Sequence, residues 1–123
     1  MESIIKRHRP KGFRIRFSRH RKTSGKASFE RKVIYCPHVT GPETLQIYLH
    51  ECAHVHLKHK DEPLLHKIEF EAEMWAIAIM RLEGIPVPQS VLVAAREYVS
   101  RCIHSDEAKG LPIETHIRRW AQC

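Results

Sequence analysis

The stretch TGPETLQIYLHECAHVHLK, residues 40–58, decides the fold because it predicts a long and well-capped helix. Thr40 is the predicted N-cap, Pro42 fits the first turn, and Glu43 completes a capping box at the third position. We therefore expect a helix over residues 41–58, in the middle of the chain.

The polar side chains of this helix lie opposite its apolar face. At about 100° per residue, His50, Glu51 and His54 fall in one sector, while Leu45 and Leu49 fall on the other side. Two histidines at positions i and i+4 bring one nitrogen each to a single zinc ion, and the glutamate between them reaches a water on that ion. The pattern His-Glu-x-x-His thus predicts a zinc site with a general base beside it.

Three more histidines follow the motif. His56 falls on the apolar side of the helix, so it is predicted to be a core histidine with a hydrogen-bond partner. His59 and His66 are predicted either to be solvated or to support the metal ligands from behind.

The second predicted helix begins near Asp61, which can cap it, and ends at Gly84. Glu69 and Glu73 share a stripe of this helix with two alanines, whereas Glu71 points elsewhere. Carboxylates on a buried helix need a cation or hydrogen-bond donors to offset their desolvation, and zinc would supply the cation. We predict Glu69 as the third zinc ligand and keep Glu71 and Glu73 as alternatives. The other interpretation is that these glutamates are exposed and pair with Lys or Arg.

Two β-rich segments precede the first helix. GFRIRFSR alternates apolar residues with arginines, which is the period of a half-buried strand with a basic outer face. FERKVIYC resumes after a break and stops at Pro37, so an antiparallel pair or small sheet is predicted. The strand within residues 29–36 is expected to offer a free edge to an extended peptide.

The predicted elements amount to one α+β domain over residues 1–123, with strands first and helices afterwards. A third helix fits between Pro88 and Gly110, and a short last one between Pro112 and Trp120. In chain order the parts are a basic N-terminal region of strands (1–32), the metal-site helices (41–84) and the C-terminal helices (88–121).

The basic residues are concentrated at the N-terminal end. The first 32 residues carry 12 Lys and Arg against two acids, a net charge of +10, and the remaining 91 carry 9 against 12, a net of −3. This asymmetry predicts attraction to an acidic partner, nucleic acid being the commonest, although solvated arms of this kind also occur in proteins that bind none. Neither a signal peptide nor a run of about 18 apolar residues is found, so no membrane contact and a cytoplasmic location are expected.

The segments LHECAHVHL and EFEAEMWAIAIM together resemble the small gluzincin metallopeptidases of the ImmA/IrrE type. The second motif of that family, shared with the core of HtpX-like zincins, has the form E-x-x-A-(D/N). The resemblance covers about residues 25–88 and implies a small zincin-like fold. It also implies that His50, His54 and Glu69 bind zinc and that Glu51 is the catalytic base.

The activity implied by the resemblance is zinc-dependent hydrolysis of peptide bonds in a protein or peptide substrate. Relatives of this type cleave DNA-bound regulators, so a regulatory protein is the implied substrate. Glu73 stands where the family has Asp or Asn, which orients a ligand. A second oxyanion donor is usual in such sites, and the sequence offers four candidates: His66, Tyr35, Tyr98 and His104.

Three alternatives stay open at this point. The first is a non-catalytic module in which zinc, or no metal, only stabilises the fold while residues 13–32 bind nucleic acid or another protein. The second is a self-inhibited enzyme in which the thiolate of Cys123 occupies the fourth zinc position. The third is a zinc site assembled from Cys36, His38, Cys102 and His104, although widely spaced cysteines are most simply free thiols. The sequence does not indicate an oligomeric state.

Overall fold

Residues 1–19 and 23–122 are described by the computed structural model, which shows an α+β arrangement as predicted. The three-stranded sheet precedes four of the five helices found in this part of the chain, and one short helix before the sheet was not predicted. In chain order the elements are α1 (Glu2–His8), β1 (Arg14–Phe17), β2 (Lys26–Ser28), β3 (Val33–Cys36), α2 (Pro42–His56), α3 (Leu65–Leu82), α4 (Gln89–Ala108) and α5 (Thr115–Ala121).

The sheet is mixed, with the strand order β1-β3-β2. β2 and β3 pair antiparallel, because a short turn joins them and Lys32 adopts a φ of 55° within it. β2 itself was not predicted, since residues 26–28 belong to the expected break between the two β-rich segments. β1 pairs with β3 in parallel, and here the antiparallel prediction is wrong. β2 already occupies one side of β3, so β1 takes the other side. β3 is therefore the central strand, and the expectation that it offers a free edge is also wrong.

Helix α2 begins one residue later than the capping box predicts. Gly41, in extended conformation, is the N-cap in place of Thr40. The hydroxyl oxygen of Thr44 accepts hydrogen bonds from the backbone N–H groups of Thr40 at 2.8 Å and Gly41 at 3.2 Å. The cap thus comes from inside the first turn, because the side chain of Thr44 folds back onto the groups that precede the helix.

The other helices follow the predicted order with shifted ends. α3 begins at Leu65, later than the predicted start near Asp61. Leu64 is the N-cap residue, so Asp61 does not cap the helix as predicted. In the loop before the helix, the carboxylate of Glu62 accepts the backbone N–H of Leu64 at 3.2 Å. Gly84 has a φ of 74° and follows the end of α3, which confirms it as the stop signal.

Helix α2 lies between the sheet and α3, and this placement buries nearly its whole circumference. The fully buried side chains of the main core come from β3, α2 and α3, and they are Ile34, Cys36, Leu45, Tyr48, Leu49, Cys52, Ala76 and Met80. The hydroxyl of Tyr48 donates to the carbonyl oxygen of Ile5 at 2.7 Å, which anchors α1 to this core. A smaller cluster joins α4 and α5 through Val99, Ile103 and Ile117.

His56 is not a core residue, so that part of its prediction is wrong. It lies at the exposed end of α2, where its ring stacks on Trp75 with centroids 5.1 Å apart. Its Nε2 donates to the carbonyl oxygen of His8 at 2.9 Å, so the predicted hydrogen bond is present. Within the described ranges, no helix is long and apolar enough to cross a membrane.

Candidate metal centre

Helix α2 brings His50, Glu51 and His54 together in a buried group that can hold a metal ion, with ligand atoms within 4.8 Å of one another. Among the residues that the structure describes, no other such group is found. The alternative zinc site predicted from Cys36, His38, Cys102 and His104 does not form in the structure. Both thiols are buried and free, whereas the histidines two positions after them are exposed.

Glu69 of α3 faces the two histidines and completes a triangle of ligand-type atoms. Nε2 of His50 lies 3.1 Å from Nε2 of His54, and Oε2 of Glu69 lies 3.3 Å and 2.9 Å from these two nitrogens. In a tetrahedral zinc site with bonds of about 2.0–2.1 Å, neighbouring ligand atoms are about 3.3 Å apart. The spacing of the three atoms therefore fits one shared metal ion with little rearrangement.

The hydrogen bonding of Glu69 also fits a cation at this point. Its Oε1 accepts the hydroxyl of Tyr98 at 2.6 Å. Its Oε2 is buried and accepts no hydrogen bond from any residue in the described ranges, although it faces two ring nitrogens. A buried carboxylate oxygen without a well-aligned hydrogen bond is costly, and a metal ion between it and the imidazoles would lower that cost.

The two alternative glutamates contact the far sides of the imidazoles. Oε1 of Glu73 lies 3.1 Å from Nδ1 of His50, an ion-pair distance without hydrogen-bond geometry, and its Oε2 accepts the side-chain amide of Gln46. Oε1 of Glu71 lies 2.8 Å from Nε2 of His59. Neither carboxylate shares the triangle, so both act on the histidines from behind.

A chain of three side chains orients His54. Its Nδ1 lies 3.0 Å from Nδ1 of His59, whose Nε2 contacts Glu71. If Nε2 of His54 bound a metal, its proton would be on Nδ1 and would be donated to His59, which would in turn donate from Nε2 to Glu71. His59 thus supports the group from behind, one of the two roles predicted for it.

Burial and the facing charges shift the pKa values of this group in opposite directions. Burial by itself lowers the pKa of His50, but contacts with Glu69 and Glu73 outweigh it and raise that pKa to about 10. Burial raises the pKa of Glu69, yet His50 and His54 together hold it well below its usual range. Burial also raises the pKa of Glu51, more than the two imidazoles lower it. Without metal, a proton on His50 balances the Glu69 carboxylate.

Metal binding is therefore expected to release about one proton per site at pH 8, where His50 is still an imidazolium. Below the folded pKa of about 10, a rise of one pH unit should raise the apparent zinc affinity about tenfold, because the metal competes with this proton. Calorimetric titration of zinc in buffers of different ionisation enthalpy counts the released protons. Zinc binding without proton release at pH 8 would contradict this account.

Two cavities adjoin the centre and share part of their lining. The smaller, of about 260 Å³, is lined by His54, His59 and Glu69, and the larger, of about 460 Å³, is lined by His50 and the start of α4. Both share a wall made of Gly25, Glu51 and Tyr98. The edge strand β2 borders the smaller cavity through Lys26 and Ala27, so it is β2, rather than β3, that presents an edge to the site.

Gly25 belongs to the site although no pattern in the sequence singled it out. A Cβ atom at this position would lie 2.8 Å from Cγ of Glu51 and 2.9 Å from the backbone oxygen of Tyr35. Only glycine therefore lets the chain before β2 approach Glu51 this closely. The signal for such a contact is a distance between two elements far apart in sequence, which periodicity and spacing do not report.

Replacing Gly25 with alanine is expected to displace Glu51 or β2 and to lower the free energy of unfolding by about 1–3 kcal/mol, the usual cost of overpacking. Chemical denaturation of the variant and the wild type measures this loss. Gly41→Ala is the matched control, because a Cβ there meets only Oε2 of Glu43, at an ordinary contact distance of 3.6 Å. Equal stabilities for the two variants would argue against the close approach.

The four candidate oxyanion donors lie in different places. Tyr98 is in the wall of both cavities. His66 is fully buried elsewhere, with Nδ1 2.6 Å from Asp106 and Nε2 accepting the backbone N–H of Glu114 at 3.1 Å. His104 is exposed and contacts Glu107, and Tyr35 lines neither cavity. Tyr98 is therefore the one of the four that the fold brings to the centre.

Comparisons with models of known protein families, with curated proteins and with solved structures gave no match. The resemblance to gluzincin metallopeptidases therefore stays a prediction that depends on two sequence motifs. The geometry by itself defines a coarser class, a small α+β protein with a buried His/Glu group that can hold a metal ion.

Proposed function

We propose that the protein is a zinc-dependent metalloendopeptidase that hydrolyses peptide bonds in a protein substrate. The observation that carries the proposal is the triangle of His50, His54 and Glu69 atoms, with sides of 2.9 to 3.3 Å, next to Glu51. Two imidazoles and one carboxylate are a donor set of catalytic zinc in peptidases. This donor set also suits zinc better than magnesium or calcium, which prefer oxygen ligands.

A zinc ion held by these residues would polarise a substrate carbonyl and lower the pKa of a water molecule. Glu51 would accept the proton of that water, and two observations support this role: its Oε2 lies 4.0 Å from Nε2 of His50, and it borders both cavities. The raised pKa of Glu51 suits a base that must later return the proton to the leaving amine. Tyr98 is the candidate donor to the substrate oxygen, a role in which its hydroxyl would turn from Glu69 to the substrate.

The edge of β2 offers a way to hold the substrate. Main-chain groups of an edge strand pair with an extended peptide, and the smaller cavity is bordered by Lys26 and Ala27 of β2 and by Gly25 just before it. A peptide bound there would lie beside Glu51 and His54, with side chains entering the two cavities. Main-chain recognition of this kind depends little on side-chain identity, so specificity would come from the cavities.

The alternative of a non-catalytic zinc module fits the site less well. A structural zinc site is normally closed by four protein ligands. Here the residues of the triangle line two cavities, and the neighbouring carboxylate of Glu51 borders both. The self-inhibited form through Cys123 concerns a residue outside the described ranges, so it stays a prediction.

The proposal is tested by metal-dependent proteolysis. Protein purified without a metal-affinity tag is stripped with a chelator, reloaded with zinc, and incubated with a library of unstructured peptides that is then analysed by mass spectrometry. Cleavage that is lost on chelation and restored by zinc is the expected result. Full zinc loading without cleavage of any peptide would contradict the peptidase proposal and favour the non-catalytic module.

A further inference from the structure

The larger of the two cavities has apolar residues on two helices that border it. Ile47 of α2 lies on one wall, and Val91, Ala94 and Ala95 near the start of α4 lie on another. The three α4 residues share a face of the helix because they are three and four positions apart. The resemblance to gluzincin metallopeptidases covers only about residues 25–88, so it implies nothing about the wall that α4 supplies.

The metal centre adjoins both walls within one helical turn. Ile47 lies three residues before His50, and Ala95 lies three residues before Tyr98. Three residues of an α-helix advance by about 4.5 Å. The rings of His50 and Tyr98 have centroids 6.0 Å apart, so the two helices meet at the centre. A residue next to a peptide bond at the centre can therefore extend its side chain between the apolar walls.

The charged residues of the lining do not favour a charged side chain. Glu51 and Glu73 both contact His50 at the metal centre. Glu43 and Arg101 are exposed and opposite in sign, so together they favour neither an anion nor a cation. A charged group that entered between the apolar walls would lose hydration without gaining a partner, which is unfavourable. Ligand sites with mainly apolar walls and a few polar groups select apolar groups of matching size.

The cavity has room for a bulky side chain. Its volume is about 460 Å³. An apolar cavity of about 150 Å³ is already sufficient to hold a benzene ring. Alanine at positions 94 and 95 leaves this space open, since a larger side chain at either position would occupy part of it.

We infer that the larger cavity binds a large apolar side chain, such as that of Leu, Met or Phe, from a substrate residue next to the peptide bond that is cut. Contact with Ile47, Val91 and the two alanines removes apolar surface of both partners from water. Glycine at that substrate position would leave the walls exposed. The inference rests on the proposed peptidase function and names the class of residue that the site selects.

Two zinc-binding probes that differ in one side chain test the inference. N-acetylleucine hydroxamate should bind the zinc-loaded protein roughly 10- to 100-fold more tightly than N-acetylglycine hydroxamate, the gain from burying a leucine side chain. The aspartate and lysine analogues should bind no better than the glycine compound. Isothermal titration calorimetry measures the four affinities without any need for cleavage.

Ala94→Phe assigns the preference to this cavity. Ala94 is exposed, so the new ring should extend into the cavity without disturbing the core, and most of the leucine advantage should be lost. The affinity for the glycine compound should stay unchanged. Val93→Phe is the matched control, because Val93 is the adjacent exposed residue of α4 and borders a different cavity. It should keep the wild-type ratio. Zinc content and circular dichroism report whether both variants keep the metal centre and the fold.

Methyl NMR of the metal-free protein gives a reading that does not depend on zinc. N-acetylleucine amide should shift the methyl signals of Val91, Ala94 and Ala95, and N-acetylglycine amide should leave them in place. The two compounds share the same backbone groups, so a difference between them comes from the side chain alone.

The outcomes separate this inference from the proposed function. Equal affinity for the leucine and glycine hydroxamates would overturn the inference while the peptidase proposal stands. So would a leucine advantage that a folded Ala94→Phe variant retains, or tighter binding of the aspartate or lysine compound. If neither hydroxamate binds, the proposed zinc site is wrong, and the methyl spectra decide about the cavity. Leucine-specific shifts would then support an apolar side-chain site, and their absence would overturn it.

Discussion

Glu69→Ala is expected to abolish stoichiometric zinc binding. The wild type should contain about one zinc ion per chain, because three protein ligands hold a catalytic zinc. Without the carboxylate, the two imidazoles of His50 and His54 remain as a bidentate pair, and we expect the zinc affinity to fall by at least about a thousandfold, the loss of one of three ligands. Elemental analysis after purification without a metal-affinity tag measures the content directly.

Glu71→Ala is the matched control, since it removes a carboxylate two positions away on the same helix. Glu71 contacts His59 and lies outside the triangle, so its loss should weaken zinc binding only about tenfold, through the orientation of His54. Near-complete zinc loss in Glu71→Ala with normal zinc content in Glu69→Ala would show that the third ligand is misassigned. If the wild type contains no zinc even after zinc is added, the prediction of a metal centre is wrong.

Glu51→Gln is expected to lower peptide cleavage by about 10²- to 10⁴-fold while leaving zinc content unchanged, since an amide cannot accept the proton. The substitution keeps the shape of the side chain against Gly25, so the packing of the site should persist. Measurement of kcat and zinc content on the same samples separates loss of chemistry from loss of metal.

Glu30→Gln makes the same change of charge at an exposed position in the turn between β2 and β3. It should retain wild-type cleavage. Full activity in Glu51→Gln would exclude Glu51 as the base, and loss of both activity and zinc would mean that Glu51 itself holds the metal, as its place in the His50, Glu51 and His54 group also permits.

The predictions that hold for the fold depend on signals within short stretches of chain. The helix around the His-Glu-x-x-His motif, the stop at Gly84 and the helix between Pro88 and Gly110 are all present in the structure. Helical period, a positive φ at glycine and the missing N–H of proline act within one or two turns. The presence of these helices can therefore be predicted from the sequence, although their first and last residues shift by a few positions.

The pairing of the strands could not be read in this way. β1 lies on one side of β3 because β2 occupies the other, and its parallel direction depends on the path of the whole N-terminal region. The position of His56 shows the same limit, because helical period placed it on the apolar side. The last turn of α2 extends beyond the core, so the apolar side of the helix is exposed there. His56 instead contacts the ring of Trp75 and the carbonyl oxygen of His8.

The sequence by itself determined the α+β class, the helix that carries His50, Glu51 and His54, and the stripe that Glu69 shares with Glu73. These features depend on the spacing of residues along a single element, which the helical period fixes. Only the tertiary structure decided how far Glu69 lies from the two imidazoles, how closely Gly25 approaches Glu51, and that Glu71 contacts His59. Those distances join elements that are separate in sequence, and the packing of α2 between the sheet and α3 sets them.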